Sequence, residues 1–232
     1  MNASAIIVAA GSGSRLGFGE PKAFVMLGGR PMLHYSLATL AELDALREIV
    51  IAVPAGMEER ARAETQAARV SVPVKIAPGG IERQDSVRIA LDLTSAESDV
   101  VAIHDAARPF ADRALFERCL EAAARSGGAI AAIPVTDTLK RVDGGRIVAT
   151  ITRVGLFQAQ TPQAFQRKLL IAAHRRALER RITTTDDADL IEQAGGRVEI
   201  VEASALNLKI TTQADLAIAQ ALTSRLHEIR RI

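Results

Sequence analysis

The residues best able to do chemistry lie near the start of the chain, in AIIVAAGSGSRLGFGEPK (residues 5–22). Gly11, Ser12, Gly13 and Ser14 are small enough for their backbone N–H groups to approach an anion closely. Arg15 and Lys22 add two cations, with Pro21 stiffening the chain before the lysine. Cations on a backbone-lined loop suit the phosphates of a nucleoside triphosphate. The glycines are not followed by G-K-[ST], so this is no Walker loop. The G-x-G-x-x-G dinucleotide spacing also fails, because Leu16 stands where its last glycine belongs. Glycines alone fit an ordinary strand-to-helix turn.

Other clusters follow. Asp105, after the apolar run Val100 to Ile103, could hold Mg²⁺ at the carboxyl end of a strand, since Mg²⁺ needs one or two carboxylates plus phosphate oxygens. It could equally cap the next helix; the glycine loop and the nearby Arg108 tip the balance to metal. Arg108 itself reads as an organising residue, while His104 is left to a structural role. Lys209, in the apolar run Leu206 to Ile210, needs a partner if it leaves a buried strand. A triphosphate would serve, and a lysine reaching solvent at a strand end is the plainer alternative. Thr184, Thr185 and Asp186 read by themselves as a helix N-cap. Thr138, Lys140 and Arg153 are either contacts to a second phosphorylated substrate or solvent-facing residues. No Ser-His-Asp or Cys-His arrangement points to nucleophilic catalysis.

The elements that must position these residues form an alternation. Residues 5–10, 48–53, 72–77, 100–103 and 129–135 read as buried strands, and 198–201 and 206–210 as two more. Helices are expected over 31–43, 56–68, from Asp112 to about 125, 166–181, up to about 194, and from 213 to the end, with an amphipathic one around Val87, Ala90 and Leu91. The alternation predicts an α/β fold with a doubly wound, mostly parallel sheet. It breaks at residues 136–153, where Asp143-Gly144-Gly145 joins two short strands as a hairpin. A lone hairpin is marginal in water, so it must dock, either on its own sheet or, as we expect, as an arm on a second copy of the chain. One domain spanning 1–232 with that arm is the simplest organisation, without a fused second enzyme domain.

Composition narrows the function classes. Apolar residues make up 48% and charged residues 24%, an ordinary globular mix. A net charge of +2 gives no argument for nucleic acid or a membrane surface. No apolar run approaches the roughly 20 residues of a membrane span, and no signal peptide is visible. The single cysteine, Cys119, excludes an internal disulfide and a cysteine-based zinc site, which is compatible with a cytoplasmic location, and it reads as core.

The pattern A-A-G-x-G-x-R followed by P-K resembles the signature of nucleotidyltransferases that couple a nucleoside triphosphate to a phosphorylated sugar or polyol. Together with GGIERQDSV, HDAARPF, PVTDTLKR, AQTPQAF, TTDDADL and NLKIT, in that order, it makes the whole chain similar to the 2-C-methyl-D-erythritol 4-phosphate cytidylyltransferase family. The resemblance implies a Rossmann-like nucleotidyltransferase fold, CTP and methylerythritol phosphate as substrates, Mg²⁺ or another divalent cation as cofactor, and a homodimer joined by the arm. It further implies that Arg15, Lys22 and Lys209 surround the CTP phosphates and that Asp105 holds the metal. Ala10, Gly11, Gly13, Gly80, Arg83, Ser86 and Ala106 match positions around the nucleotide. Thr138, Arg153, Thr161, Thr185, Asp186 and Thr211 match positions that bind or support the phosphorylated alcohol. Ile81 departs from the polar residue expected in G-G-x-E-R, which bears on base selectivity if its side chain meets the cytosine. A ribitol-5-phosphate cytidylyltransferase shares much of the pattern, and a non-catalytic nucleotide-binding subunit is the alternative of another class.

The attacking group would be a phosphate monoester, mostly ionised near neutral pH because its second pKa is about 6. No general base is then required. The obstacle is one anion approaching another, which cations and Mg²⁺ around the α-phosphate would relieve.

Overall fold

The computed structural model describes residues 1–229 apart from 12, 14–16 and 18, with the side chains of 225–229 also left aside. The chain begins with strand β1 (Ala3–Val8), a 3-10 turn (Lys22–Phe24) and a short ribbon of β2 (Met26–Leu27) and β3 (Arg30–Pro31). Helix α1 (Met32–Ala41), β4 (Leu46–Val53), α2 (Glu58–Ala67), β5 (Val74–Pro78), α3 (Arg83–Asp92) and β6 (Val100–Asp105) follow. Then come α4 (Arg113–Ser126), β7 (Gly128–Pro134), the hairpin β8 (Leu139–Asp143) and β9 (Arg146–Ile151), and β10 (Phe157–Gln166). Helices α5 (Arg167–Arg180) and α6 (Asp187–Gln193), strand β11 (Glu199–Glu202) and α7 (Gln213–Ile229) complete the chain.

Seven strands form the main sheet in the order β11–β7–β10–β6–β1–β4–β5. All pairings are parallel except those of β10, which runs antiparallel to both neighbours. The apolar run of β1 explains its central place. Ala5 and Ile7 pack on one face with Leu33, Leu37 and Leu40 of α1 and Phe116 and Leu120 of α4. Ile6 packs on the other face with Val87 and Leu91 of α3 and Leu170 of α5. A strand buried on both sides has no polar face, hence the absence of alternation. From β1 the chain winds one way to β4 and β5, then crosses to β6 on the other side. The carboxyl ends of β1 and β6 therefore flank the switch point, where open α/β sheets bind ligands.

Local signals agree with this frame. The Asp112 carboxylate accepts the Leu115 N–H at 2.7 Å and caps α4. Gly144 and Gly145 take φ of 51° and 77°, the paired positive angles a tight hairpin turn requires. The hairpin strands are exposed along nearly their whole length, so the arm does not fold back onto the main sheet. One expectation fails. Residues 206–210 form no strand: Asn207 and Ile210 are buried, Leu206 is exposed, and the Ile210 N–H bonds to the Ala107 carbonyl across the end of β6. The segment is a loop laid over the sheet's edge, and Lys209 rises from that loop.

Candidate active site

A cleft of about 440 Å³ opens at the switch point. Its walls come from the end of β1 (Ala9, Ala10, Gly11), the 3-10 turn (Lys22), the loop into α3 (Gly80 to Arg83) and the end of β6 (Asp105, Ala106), with Lys209 closing one side. The sequence points to Ala10, Gly11, Lys22, Gly80, Arg83, Ser86, Asp105, Ala106 and Lys209, and all nine line this one cleft. Arg15 lies outside the described residues. Gly13 sits just behind the wall: a Cβ there would lie 3.0 Å from the Lys22 amide nitrogen.

The loop into α3 is held tightly. A Cβ on Gly80 would come within 2.2 Å of the Asp85 Cβ and 3.0 Å of the Ser86 amide, so no side chain fits. The Gly80 N–H donates to Ser86 Oγ at 3.0 Å, and that hydroxyl donates to the Glu82 carbonyl. Glu82 and Asp85 add a reciprocal capping box at the start of α3. Ser86 thus shapes the wall as well as lining it. The Ile81 side chain projects from the same loop, 96% exposed.

Asp105 is the electrostatic centre. One carboxylate oxygen accepts from Arg83 Nε at 3.0 Å and the other from Lys209 Nζ at 2.6 Å. Burial pushes its pKa upward, but Arg83 and Lys209 outweigh that and hold the group far below the carboxylate range. Burial likewise opposes the charge on Arg83, yet Asp105 and Asp187 hold its pKa above the ordinary arginine value. Lys22, Arg83 and Lys209 line the cleft beside Glu82 and Asp105, and Arg83 is also paired with Asp187 outside it.

Behind Asp105, a buried relay fixes the backbone. Its N–H donates to Thr161 Oγ1 at 3.0 Å. That hydroxyl lies 3.0 Å from His104 Nδ1, and His104 Nε2 is 3.1 Å from the Arg108 carbonyl. The chain closes if the hydroxyl donates to Nδ1 and Nε2–H donates to the carbonyl, which fixes a neutral tautomer. Burial, reinforced by the nearby arginines, pushes the imidazole down to about 4. His104 is therefore a structural bridge, uncharged at neutral pH. Arg108 donates to the Asn207 carbonyl at 2.8 Å, and Asn207 Nδ2 donates to Gln160 Oε1 and the Thr161 carbonyl. These bonds clamp the loop that carries Lys209 onto β10. Arg108 thus organises the Lys209 loop.

Could the site take a divalent cation? Among the described residues no group of three or more His, Cys, Asp and Glu side chains could enclose one. A lone carboxylate does suit an ion that arrives with phosphate oxygens and keeps its waters, as Mg²⁺ does.

The family profile of 2-C-methyl-D-erythritol 4-phosphate cytidylyltransferase matches residues 3–225. The chain belongs to this family. It is 45% identical over 220 residues to a relative of that name from Deinococcus radiodurans, covering 95% of this chain and 89% of the relative. A solved cytidylyltransferase of the same name from Thermus thermophilus superposes with a TM-score of 0.80 at 37% identity, covering 96% of this chain and 98% of that one. The 4-diphosphocytidyl-2C-methyl-D-erythritol synthase from Anaerococcus prevotii gives 0.86 at 30% identity, with 96% of each chain covered.

The remaining candidates of this cytidylyltransferase-family chain lie apart from the cleft. Thr138 and Arg153 are exposed at the base of the hairpin, where the Arg153 guanidinium donates to the Thr136 carbonyl. Thr161 is buried in the relay described above. Thr185 is exposed, and Asp186 caps α6 by accepting the Asp189 N–H at 3.1 Å while also taking a bond from Gln163. Thr211 spends its N–H on Asp215. Sequence reasoning missed Asp187, His174 and Asn207. Asp187 stands beside Asp186 in TTDDADL, but nothing local tells which aspartate turns inward.

Proposed function

We propose that this chain transfers a cytidylyl group from CTP to 2-C-methyl-D-erythritol 4-phosphate, releasing pyrophosphate and forming the CDP-linked alcohol. The observation that carries the reading is the cleft at the switch point, where Arg83 and Lys209 pair with Asp105 and Lys22 belongs to the same lining. A phosphate-monoester oxygen bonds to the α-phosphorus of CTP while the bond to the bridging α–β oxygen breaks, and pyrophosphate leaves with that electron pair. Both reactants are anions, so the protein's part is positioning and charge stabilisation. Lys22, at the carboxyl edge of the sheet, faces the triphosphate. Lys209, paired with Asp105 at the cleft wall, turns from it to a phosphate when nucleotide enters.

Asp105 would then hold Mg²⁺ through the oxygen that Lys209 gives up, and the metal would neutralise charge on the transferring phosphate. Asp105→Asn should flatten the Mg²⁺ dependence of turnover; an unchanged titration would return Asp105 to a purely structural role.

The arm supports a homodimer. Val142, Ile147, Val148 and Val154 are between 56% and 86% exposed, and Leu156 and Phe157 after the hairpin are 37% and 44% exposed. Docked on a second copy, the arm would bring Thr138 and Arg153 to the alcohol's phosphate. A reducing compartment such as the cytoplasm suits a chain whose one cysteine is buried, its thiol pushed up to about 12 by that burial. Among the described residues no helix is long and apolar enough to cross a membrane.

Pyrophosphate release tests the whole reading. CTP, UTP, ATP and GTP are each offered with methylerythritol phosphate or ribitol 5-phosphate in the presence of Mg²⁺. Release confined to CTP with methylerythritol phosphate is expected. Release with ribitol phosphate instead would overturn the alcohol, and none from folded protein would favour a binding subunit.

A further inference from the structure

Arg83 does not rest on Asp105 alone. Its NH1 donates to Asp187 Oδ2 at 2.7 Å, across 104 residues of sequence. Asp187 is the first residue of α6, and its side chain is only 1% exposed. It does not line the cleft. Its other oxygen accepts from His174 Nε2 at 3.1 Å, and its backbone N–H donates to Gln163 Oε1 at 3.1 Å. His174 is itself buried among the apolar residues of α5 and α6, and its Nδ1 has no hydrogen-bond partner among the described residues. A chain of alternating groups thus runs inward from the cleft: Lys209, Asp105, Arg83, Asp187, His174.

We propose that Asp187, held by His174, is a positioning residue that anchors Arg83 independently of Asp105. This rests on the cytidylyl-transfer reading above, in which Asp105 must turn an oxygen towards incoming Mg²⁺ and nucleotide. A cation left in a low-dielectric wall with only Asp105 for company would hold both carboxylate oxygens and compete with the metal. Asp187 removes that competition by taking one face of the guanidinium permanently. The fork geometry of arginine makes the division possible, with Nε committed to one carboxylate and NH1 to the other. A lysine could not face two carboxylates in fixed directions. Burial pushes the Asp187 pKa upward, but Arg83 and His174 outweigh it, so the anchor carries its charge.

The test is a double-mutant cycle between Asp187→Asn and Arg83→Met, read by pyrophosphate release from CTP and methylerythritol phosphate across a Mg²⁺ titration. Wild-type protein must first show Mg²⁺-dependent release; failure there sinks the reaction assignment, not the anchor. Given wild-type activity, Asp187→Asn should lower kcat/KM for CTP about tenfold or more, roughly the 1.4 kcal/mol that one misplaced charge contact commands, and should raise the Mg²⁺ concentration for half-maximal rate. In the Arg83→Met background the same substitution should change neither quantity. Wild-type kinetics in Asp187→Asn would overturn the proposal, as would an equal loss in both backgrounds. If the Asp187→Asn chain does not fold, the double variant against Arg83→Met decides alone: equal rates support the anchor, and a further loss contradicts it.

Discussion

Two lysine–carboxylate pairs sit at opposite ends of the same mostly parallel sheet, and they differ in how their charges are satisfied. At the amino-terminal edge, Glu48 of β4 accepts from Ser4 Oγ at 2.7 Å, Lys75 Nζ at 2.8 Å and the Ser95 N–H, and Ser4 also meets Ser98. Lys75 spends a second proton on the Leu93 carbonyl at 2.8 Å. This network saturates itself and ties β1, β4, β5 and the end of α3 together. At the carboxyl-terminal edge, Asp105 faces two cations, and Lys22 lines the same wall. The amino-terminal network lies outside the cleft, while the carboxyl-terminal pair lines it. On the proposed reading, the same residue types would serve stability at one edge and binding at the other.

The comparison breaks most visibly at the cleft. Lys22→Ala should slow pyrophosphate release a hundredfold or more, about 3 kcal/mol for a preorganised charge-stabilising group, while the chain stays folded. Wild-type turnover would remove Lys22 from the chemistry. At the opposite edge, Glu48→Ala should cost about 1–3 kcal/mol of stability, since Ser4 and the Ser95 N–H lose a buried acceptor, and leave kcat intact. Urea titration with a parallel activity assay checks both halves.

The pH dependence of stability sharpens the same contrast. Burial raises the Glu48 pKa, but Lys75, Ser95 and Ser4 more than offset it, so the folded value lies below the ordinary 4.5. A depressed carboxylate adds stability that is fully present above the unfolded pKa and is lost as pH falls through the folded one. Glu48→Gln should therefore lose less stability than wild type when pH is lowered below 4.5, measured by denaturant midpoints. Equal losses would show that the network is not held by charge. The smallest effect belongs to Ile81→Asn. Its side chain belongs to the cleft lining but is 96% exposed, so CTP-over-UTP selectivity should stay within about twofold. A larger change would mean that the side chain meets the base.

Much of this was legible in the sequence because it is local. The apolar run of β1, the Asp-Gly-Gly turn of the arm and the Asp112 cap each follow from neighbouring residues. The convergence of nine motif residues on one cleft was legible through the order of the motifs. What escaped depends on distant contacts. Leu206, Leu208 and Ile210 alternate as a strand would, yet Arg108 and Ile210 draw that segment over the end of β6 as a loop. The Arg83–Asp187 pair joins α3 to α6, and no spacing rule links those helices. The arm's apolar residues call for a docking surface, and their exposure excludes only the chain's own sheet.

The most direct test of the contrast between the two edges is the pyrophosphate-release rate of Lys209→Ala measured beside that of Lys75→Ala, with CTP, methylerythritol phosphate and Mg²⁺. Removing Lys209 leaves Asp105 paired with Arg83, so the fold survives, and the rate should fall about a hundredfold. Removing Lys75 should leave the rate within about twofold of wild type. Near-wild-type release by Lys209→Ala, or an equal loss in both variants, would contradict the division between a catalytic edge and a structural one.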